Sequence, residues 1–194
     1  GAYNVCLGTA AGTLITTGLR NIFVGQAGYN FDAENDNLGI GHGALGGAIN
    51  GGEYNVSVGN YTLDAVTSAD SCTAVGYNAG TSVTTSIKNT LLGESAGASI
   101  TTGTGRNVAI GQNAGNAGTA LTTGHNNILI GVEAKVSAAD GSYQFVIGSN
   151  VTSAGSSATT IGYDTTEIAT NHGSASWAAV SDERYKKDIT SSTA

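Results

Sequence analysis

One phrase recurs along this chain at nearly constant spacing: Asn, an apolar residue, any residue, an apolar residue, Gly. It appears as Asn4 to Gly8, Asn21 to Gly25, Asn37 to Gly41, Asn55 to Gly59, Asn89 to Gly93, Asn107 to Gly111 and Asn127 to Gly131. Degenerate copies run from Cys72 to Gly76, Gln144 to Gly148 and Ala158 to Gly162. Successive closing glycines are 17, 16, 18, 17, 17, 18, 20, 17 and 14 residues apart. A fixed period of this kind marks a stack of equivalent units, each too small to bury an apolar face alone. Helical repeats are excluded, because a period of about 17 residues holds no pair of helices with their turns.

The unit itself reads as extended chain. Side chains alternate along a strand, so the second and fourth residues of the phrase share a face. The pairs Val5/Leu7, Ile22/Val24, Val56/Val58, Val108/Ile110 and Ile128/Ile130 are expected to line one interior. Stacked in parallel, the Asn side chains would form a hydrogen-bonded ladder, and the closing Gly would supply a sharp corner. An Ala-Gly pair often follows, as at Ala27-Gly28, Ala79-Gly80, Ala96-Gly97 and Ala114-Gly115. A Thr-rich piece then ends in a turn, as in Ile100-Thr-Thr-Gly103 and Leu121-Thr-Thr-Gly124. One period is therefore expected to hold two short extended pieces and two turns.

The expected fold is all-β: a parallel β-solenoid or β-roll with coils of about 17 residues. Ten coils at about 4.8 Å each give a rod on the order of 48 Å long. The residue between the apolar pair should face away from that interior. It reads Cys6, Phe23, Gly39, Ser57, Ala74, Leu91, Ala109, Leu129, Val146 and Thr160, a set too small and too apolar for a fully solvated face. That face is expected to pack against copies of the chain around a three-fold axis, and the open coil ends call for capping.

Composition agrees with this and removes several functions. The 194 residues include 30 Gly, no Pro and only 11% charged residues, as a chain with a turn every few positions requires. A net charge of −7 with no basic cluster argues against a nucleic-acid backbone as ligand. No apolar run reaches 18 residues, so no membrane insertion is expected, and no signal segment is visible. Cys6 and Cys72 lie four coils apart, about 19 Å at the β spacing, too far to bridge. Both are expected to be small, semi-buried thiols.

The phrases Asn55-Val-Ser-Val-Gly59 and Asn107-Val-Ala-Ile-Gly111 resemble the head repeats of trimeric autotransporter adhesins, which fold as left-handed parallel β-rolls. Similar arrays occur in phage fibres. The resemblance covers about residues 4 to 162 and implies a stalk or adhesive surface. After Trp177 the composition changes, and Asp182 to Asp188 holds six charged residues in seven positions. On composition alone this is a solvated linker, or a helix start capped by Ser181 or Asp182. The spaced residues Ser181, Asp182, Arg184, Lys186 and Ile189 nevertheless resemble the junction of phage tailspikes and fibres that carry a C-terminal intramolecular chaperone of the S74 peptidase type.

That resemblance implies release of the chaperone by self-cleavage between Ser181 and Asp182, with Ser181 as nucleophile and Lys186 as base. It also implies a homotrimer on the virion tail, with other tail proteins and a host surface receptor as partners, a glycan among the candidate receptors. A single maturation event, not turnover of a substrate, is expected. The corresponding organisation is a repeat shaft over 1–165, a transition segment over 166–180 and the chaperone junction over 181–194. The rival reading is the head of a bacterial trimeric adhesin, which should continue into a coiled-coil stalk instead. An ice-binding solenoid would need a regular Thr array, which the Thr-Thr pairs form in only some turns.

No cofactor or metal is expected. His42, His125 and His172 are isolated, without zinc-ligand spacing. Asp32, Glu34 and Asp36 could offer oxygen ligands to Ca²⁺, but their spacing is not that of an EF-hand and a solvated turn is the better reading. Gly-rich stretches lack the Gly-Lys-Ser/Thr ending of a phosphate loop. Acids are too sparse for a paired glycosidase site. Tyr29, Tyr54, Tyr61, Tyr77 and Tyr163 could stack on receptor sugars, though exposed turn tyrosines are common.

Overall fold

A computed structural model of the chain describes residues 1–48, 50–173 and the backbone of 178–179. Its described residues are all-β, in one sheet whose strands lie side by side in chain order. The strands are β1 (Val5–Leu7), β2 (Ile22–Val24), β3 (Leu38–Ile40), β4 (Val56–Val58), β5 (Thr73–Val75) and β6 (Thr90–Leu92). They continue as β7 (Val108–Ile110), β8 (Ile128–Ile130), β9 (Phe145–Ile147), β10 (Ala158–Tyr163), β11 (Thr166–Asn171) and β12 (Ala178–Ala179). From β1 to β10 every pairing is parallel and joins equivalent residues of successive repeats: Val56 with Thr73, Thr90 with Val108, Val108 with Ile128. The protein is a parallel β-solenoid of about nine coils of about 17 residues.

Each coil carries one three-residue strand, not the two extended pieces expected. The Thr-rich piece is a bend, yet it is still stitched to the next coil. The Thr84 carbonyl accepts from the amides of both Thr67 and Ser68, and the Thr101 carbonyl from both Thr84 and Thr85. Sharing one carbonyl between two amides tilts the backbone out of strand geometry while leaving both donors satisfied. A further rung runs through the Ala-Gly pairs, as from Gly80 N–H to the Ala96 carbonyl at 3.0 Å.

The interior is inverted relative to the sequence expectation. The central residue of each strand from β2 to β10 is buried, and Phe23, Leu91, Leu129 and Val146 are wholly inaccessible. The flanking residues are half-buried or exposed, Leu7 at 66% and Leu92 at 47%. The reason is the opposite wall of the coil, which brings one Ala and one larger aliphatic per turn, such as Ala79 and Val83 or Ala96 and Ile100. The gap between the walls takes a single side chain per strand, and the central position fills it. Volumes compensate between neighbours: Gly39 stands in register with Phe23, and a Cβ there would come 3.0 Å from the Phe23 ring. Polar central residues are satisfied internally, the Ser57 hydroxyl donating to the Thr62 carbonyl at 2.8 Å.

The two ends differ. The first coil is open, with all three residues of β1 exposed, Cys6 included. At the other end the tenth copy of the phrase leaves the pattern. Gly162 does not turn a corner as the other closing glycines do. It lies inside β10, which continues into an antiparallel hairpin with β11, and β11 in turn pairs with β12. Reversal of strand direction there replaces the next parallel coil.

Candidate interaction surfaces

The Asn side chains of the repeat link successive coils. The Asn21 amide N–H donates to Asn4 Oδ1 at 2.8 Å, Asn37 to Asn21 Oδ1 at 3.0 Å and Asn55 to Asn37 Oδ1 at 2.9 Å. The ladder resumes from Asn89 through Asn107 and Asn127 to the Gln144 amide. Each Asn also donates from Nδ2 to a carbonyl across the coil, as Asn55 does to Ala69 and Asn127 to Gly141. Buried Asn thus ties adjacent coils and closes its own coil at once.

Two positions weaken this ladder. Cys72 stands where Asn is expected; its amide still donates to Asn55 Oδ1, but it offers a thiol instead of a carbonyl to Asn89. Gln144, one methylene longer, turns its Oε1 to the Ser137 amide and leaves a buried Nε2 without a partner. Cys72 is fully buried and Cys6 is exposed, so neither is the semi-buried thiol expected, and both are free. Burial pushes the Cys72 thiol above its ordinary pKa.

The closing glycines Gly8, Gly25, Gly59, Gly93, Gly111 and Gly131 all have positive φ, between 95° and 134°. At Gly93 the next coil also passes so close that a Cβ would lie 2.7 Å from the Gly111 carbonyl oxygen. The corner is thus closed to any side chain on two counts.

The carboxylates of the acidic loop are hydrogen-bonded within the protein, Glu34 to backbone and Asp32 and Asp36 to side chains. Glu34 is buried; one carboxylate oxygen accepts from the Asp32 and Ala33 amides, and the other from the Gly51 amide at 3.0 Å. Asp36 forms a two-pronged pair with Arg20, both contacts at 2.6 Å, which holds its carboxyl below the usual Asp range. Asp32 accepts from the Thr16 hydroxyl. No group of three metal-ligating side chains comes together among the described residues. Ser181, Asp182, Arg184, Lys186 and Ile189 lie outside the described residues.

Two surfaces take shape only in the structure, although Tyr61 and Tyr77 of the second already stood out in the sequence as turn tyrosines. The first is the outer face of the parallel ladder. From Val5/Leu7 at β1 to Thr159/Ile161 at β10, its two columns hold twenty residues, of which seventeen are Val, Ile, Leu or Phe and three are Thr. None is charged. Nine steps of about 4.8 Å and a width of about 10 Å make an apolar strip of roughly 400 Å², the scale at which exposed patches serve as contact surfaces. Alternation had located these pairs on one face; only closure of the coil shows that the face is outside.

The second is a row of rings at the corner after the strands. The Tyr61 ring lies 5.1 Å from His42 and 6.0 Å from Tyr77, edge-on to each. All three residues are exposed. Similarly, His125 and Tyr143 meet edge-on at 5.3 Å on the turn before the strands.

No family model matches the chain, and neither a curated protein nor a solved structure is found to be similar to it.

Proposed function

We propose that this chain is a structural segment of a phage tail fibre or tailspike: a homotrimeric shaft, carried outside the cell on the virion tail, that holds receptor-binding parts at the host surface. The observation that carries the reading is the uncharged outer face of the ladder. A rigid column of aliphatic side chains running the length of the solenoid loses free energy against water along its whole length, and burial recovers it at about 25 cal/mol per Å². Three copies turning this face to a common axis would bury it while leaving the charged turns in solvent. The central strand residues, first expected at that contact, serve the interior of each coil instead.

Sedimentation equilibrium and native mass measurement test this. A three-chain species is expected; a monomer at micromolar concentration refutes the assembly. The head of a bacterial trimeric adhesin is the rival reading, and the segment from Ser181 to Ile189 favours the fibre. There the proposed maturation is a single hydrolysis. Lys186 takes the Ser181 hydroxyl proton, Oγ attacks the carbonyl carbon of the Ser181–Asp182 bond to form an ester, and the released Asp182 nitrogen takes the proton from Lys186. Water then cleaves the ester, leaving its hydroxyl on the carbonyl carbon and a proton on Oγ. Replacing Ser181 by Ala in the full-length precursor should abolish release of the C-terminal part. Unchanged release would refute the assignment.

A further inference from the structure

The geometry points to a covalent cross-link inside the chain: an isopeptide bond between Lys135 and Asn150, formed with the help of the Asp164 carboxylate. Side chains from three successive coils meet in a line at one corner. Lys135 Nζ donates to Asn150 Oδ1, and Asn150 Nδ2 donates to Asp164 Oδ1 at 2.5 Å. An amine thus stands at the oxygen side of the amide and a carboxylate at its leaving nitrogen, the order in which aminolysis uses them. No carboxylate pairs with that amine, since among the described residues the one ion pair joins Arg20 to Asp36. In a chain with twice as many acidic as basic residues, Lys135 is aimed at an amide.

Lys135 also breaks the repeat. It stands four residues after the closing Gly131, where other coils place Gly12, Leu45, Leu63, Gly80, Gly97 and Gly115. Its amide donates to the Val151 carbonyl at 2.8 Å, its carbonyl accepts from the Ser153 amide at 3.0 Å, and its stem lies over Gly118, where an added Cβ would come 3.3 Å from Cδ. The other two backbones are as firmly set. The Asn150 and Asp164 amides donate to the Val132 and Ser149 carbonyls at 2.8 and 2.9 Å. Reacting groups held on fixed backbone lose little freedom on meeting, the condition that favours intramolecular bond formation. In the step, Nζ bonds to Asn150 Cγ and the Cγ–Nδ2 bond breaks. The two protons given up by the lysine ammonium leave on the former amide nitrogen, one of them carried across by Asp164, so ammonium departs and a secondary amide remains. Nothing is oxidised or reduced, and no further reactant enters. The bond would join the coil of β8 to that of β9, beside the place where β10 leaves the parallel stack, and so hold the last coils against fraying. It lies within one chain and does not depend on the assembly proposed above.

The test is the intact mass of the purified chain, followed by digestion of the denatured protein on the N-terminal side of Asp. Cleavage before Asp140 separates Lys135 from Asn150. The expected result is a chain lighter than its sequence by one ammonia, and a linked pair of peptides, one ending at Ala139 and the other running from Asp140 to Tyr163. Lys135→Arg should restore the full mass and abolish the linked pair. Asp164→Asn should lower the linked fraction at least about tenfold after equal incubation, with the circular dichroism of the sheet unchanged. The parent alone shows whether the bond forms, so a variant that folds poorly leaves the question decided. A parent of full mass that yields two separate peptides would overturn the proposal and leave a hydrogen bond in its place. Loss of ammonia without a linked pair would overturn it as well, since a cyclised Asn elsewhere gives the same mass. Linking undiminished in Asp164→Asn would overturn the part assigned to that carboxylate.

Discussion

Truncating Leu129 to Ala, beside the same change at its neighbour Ile130, measures which face of the ladder is the interior. Leu129 is wholly buried between Ala109 and Val146 of the adjoining coils, and an added Cβ on Gly115 would stand 3.1 Å from its Cδ1. The surrounding backbone is tied by ladder hydrogen bonds on both sides, such as Ile128 N–H to the Gln144 carbonyl at 2.8 Å, so the site cannot collapse freely. A Leu→Ala change in a core of that kind costs about 3 kcal/mol. Ile130 is only half-buried in the single chain, and its truncation should cost about 1 kcal/mol or less there. Urea unfolding followed by far-UV circular dichroism reads both, at protein concentrations spanning the assembly equilibrium. Leu129→Ala should lower stability equally at every concentration, whereas the cost of Ile130→Ala should grow where copies associate. If Ile130→Ala proves the costlier change in the monomer, the assigned interior is wrong.

Other expectations follow from single positions. Cys72→Asn should restore the carbonyl missing beneath Asn89 and stabilise the chain by about 1 kcal/mol in the same unfolding assay. With Cys72 native, a thiol reagent should label Cys6 at once and Cys72 only on unfolding. Because burial raises the Cys72 thiol in the folded chain, the unfolded chain loses that proton first as pH rises. Stability should therefore fall above the ordinary thiol pKa, and Cys72→Ser should flatten that slope. Gly93→Ala places a Cβ at φ 131° and 2.7 Å from the Gly111 carbonyl oxygen. It should cost about 2–3 kcal/mol by calorimetry, and an unchanged midpoint would show that the corner can relax.

The sequence by itself determined the coil. A period near 17 residues, with Asn opening seven of the ten copies and Gly closing them, is a local signal, since most rungs carry a side-chain amide at one end and a positive φ at the other. It specified parallel pairing and its register, because only in-register stacking puts Asn above Asn. The parity of the strand was equally legible: Val108 and Ile110 share a face, and Ala109 takes the other. What the sequence left open is which face is dry. Both faces are apolar, and alternation carries no sign. The second wall of each coil decided it, by coming close enough to admit Leu91 or Leu129 and no pair of flanking residues. Glu34 shows the same limit: its carboxylate reads as solvent-facing until the fold carries the Gly51 amide, 17 positions along the chain, to within 3.0 Å of it. Pairings of that reach belong to the closed coil, where residues one period apart become neighbours.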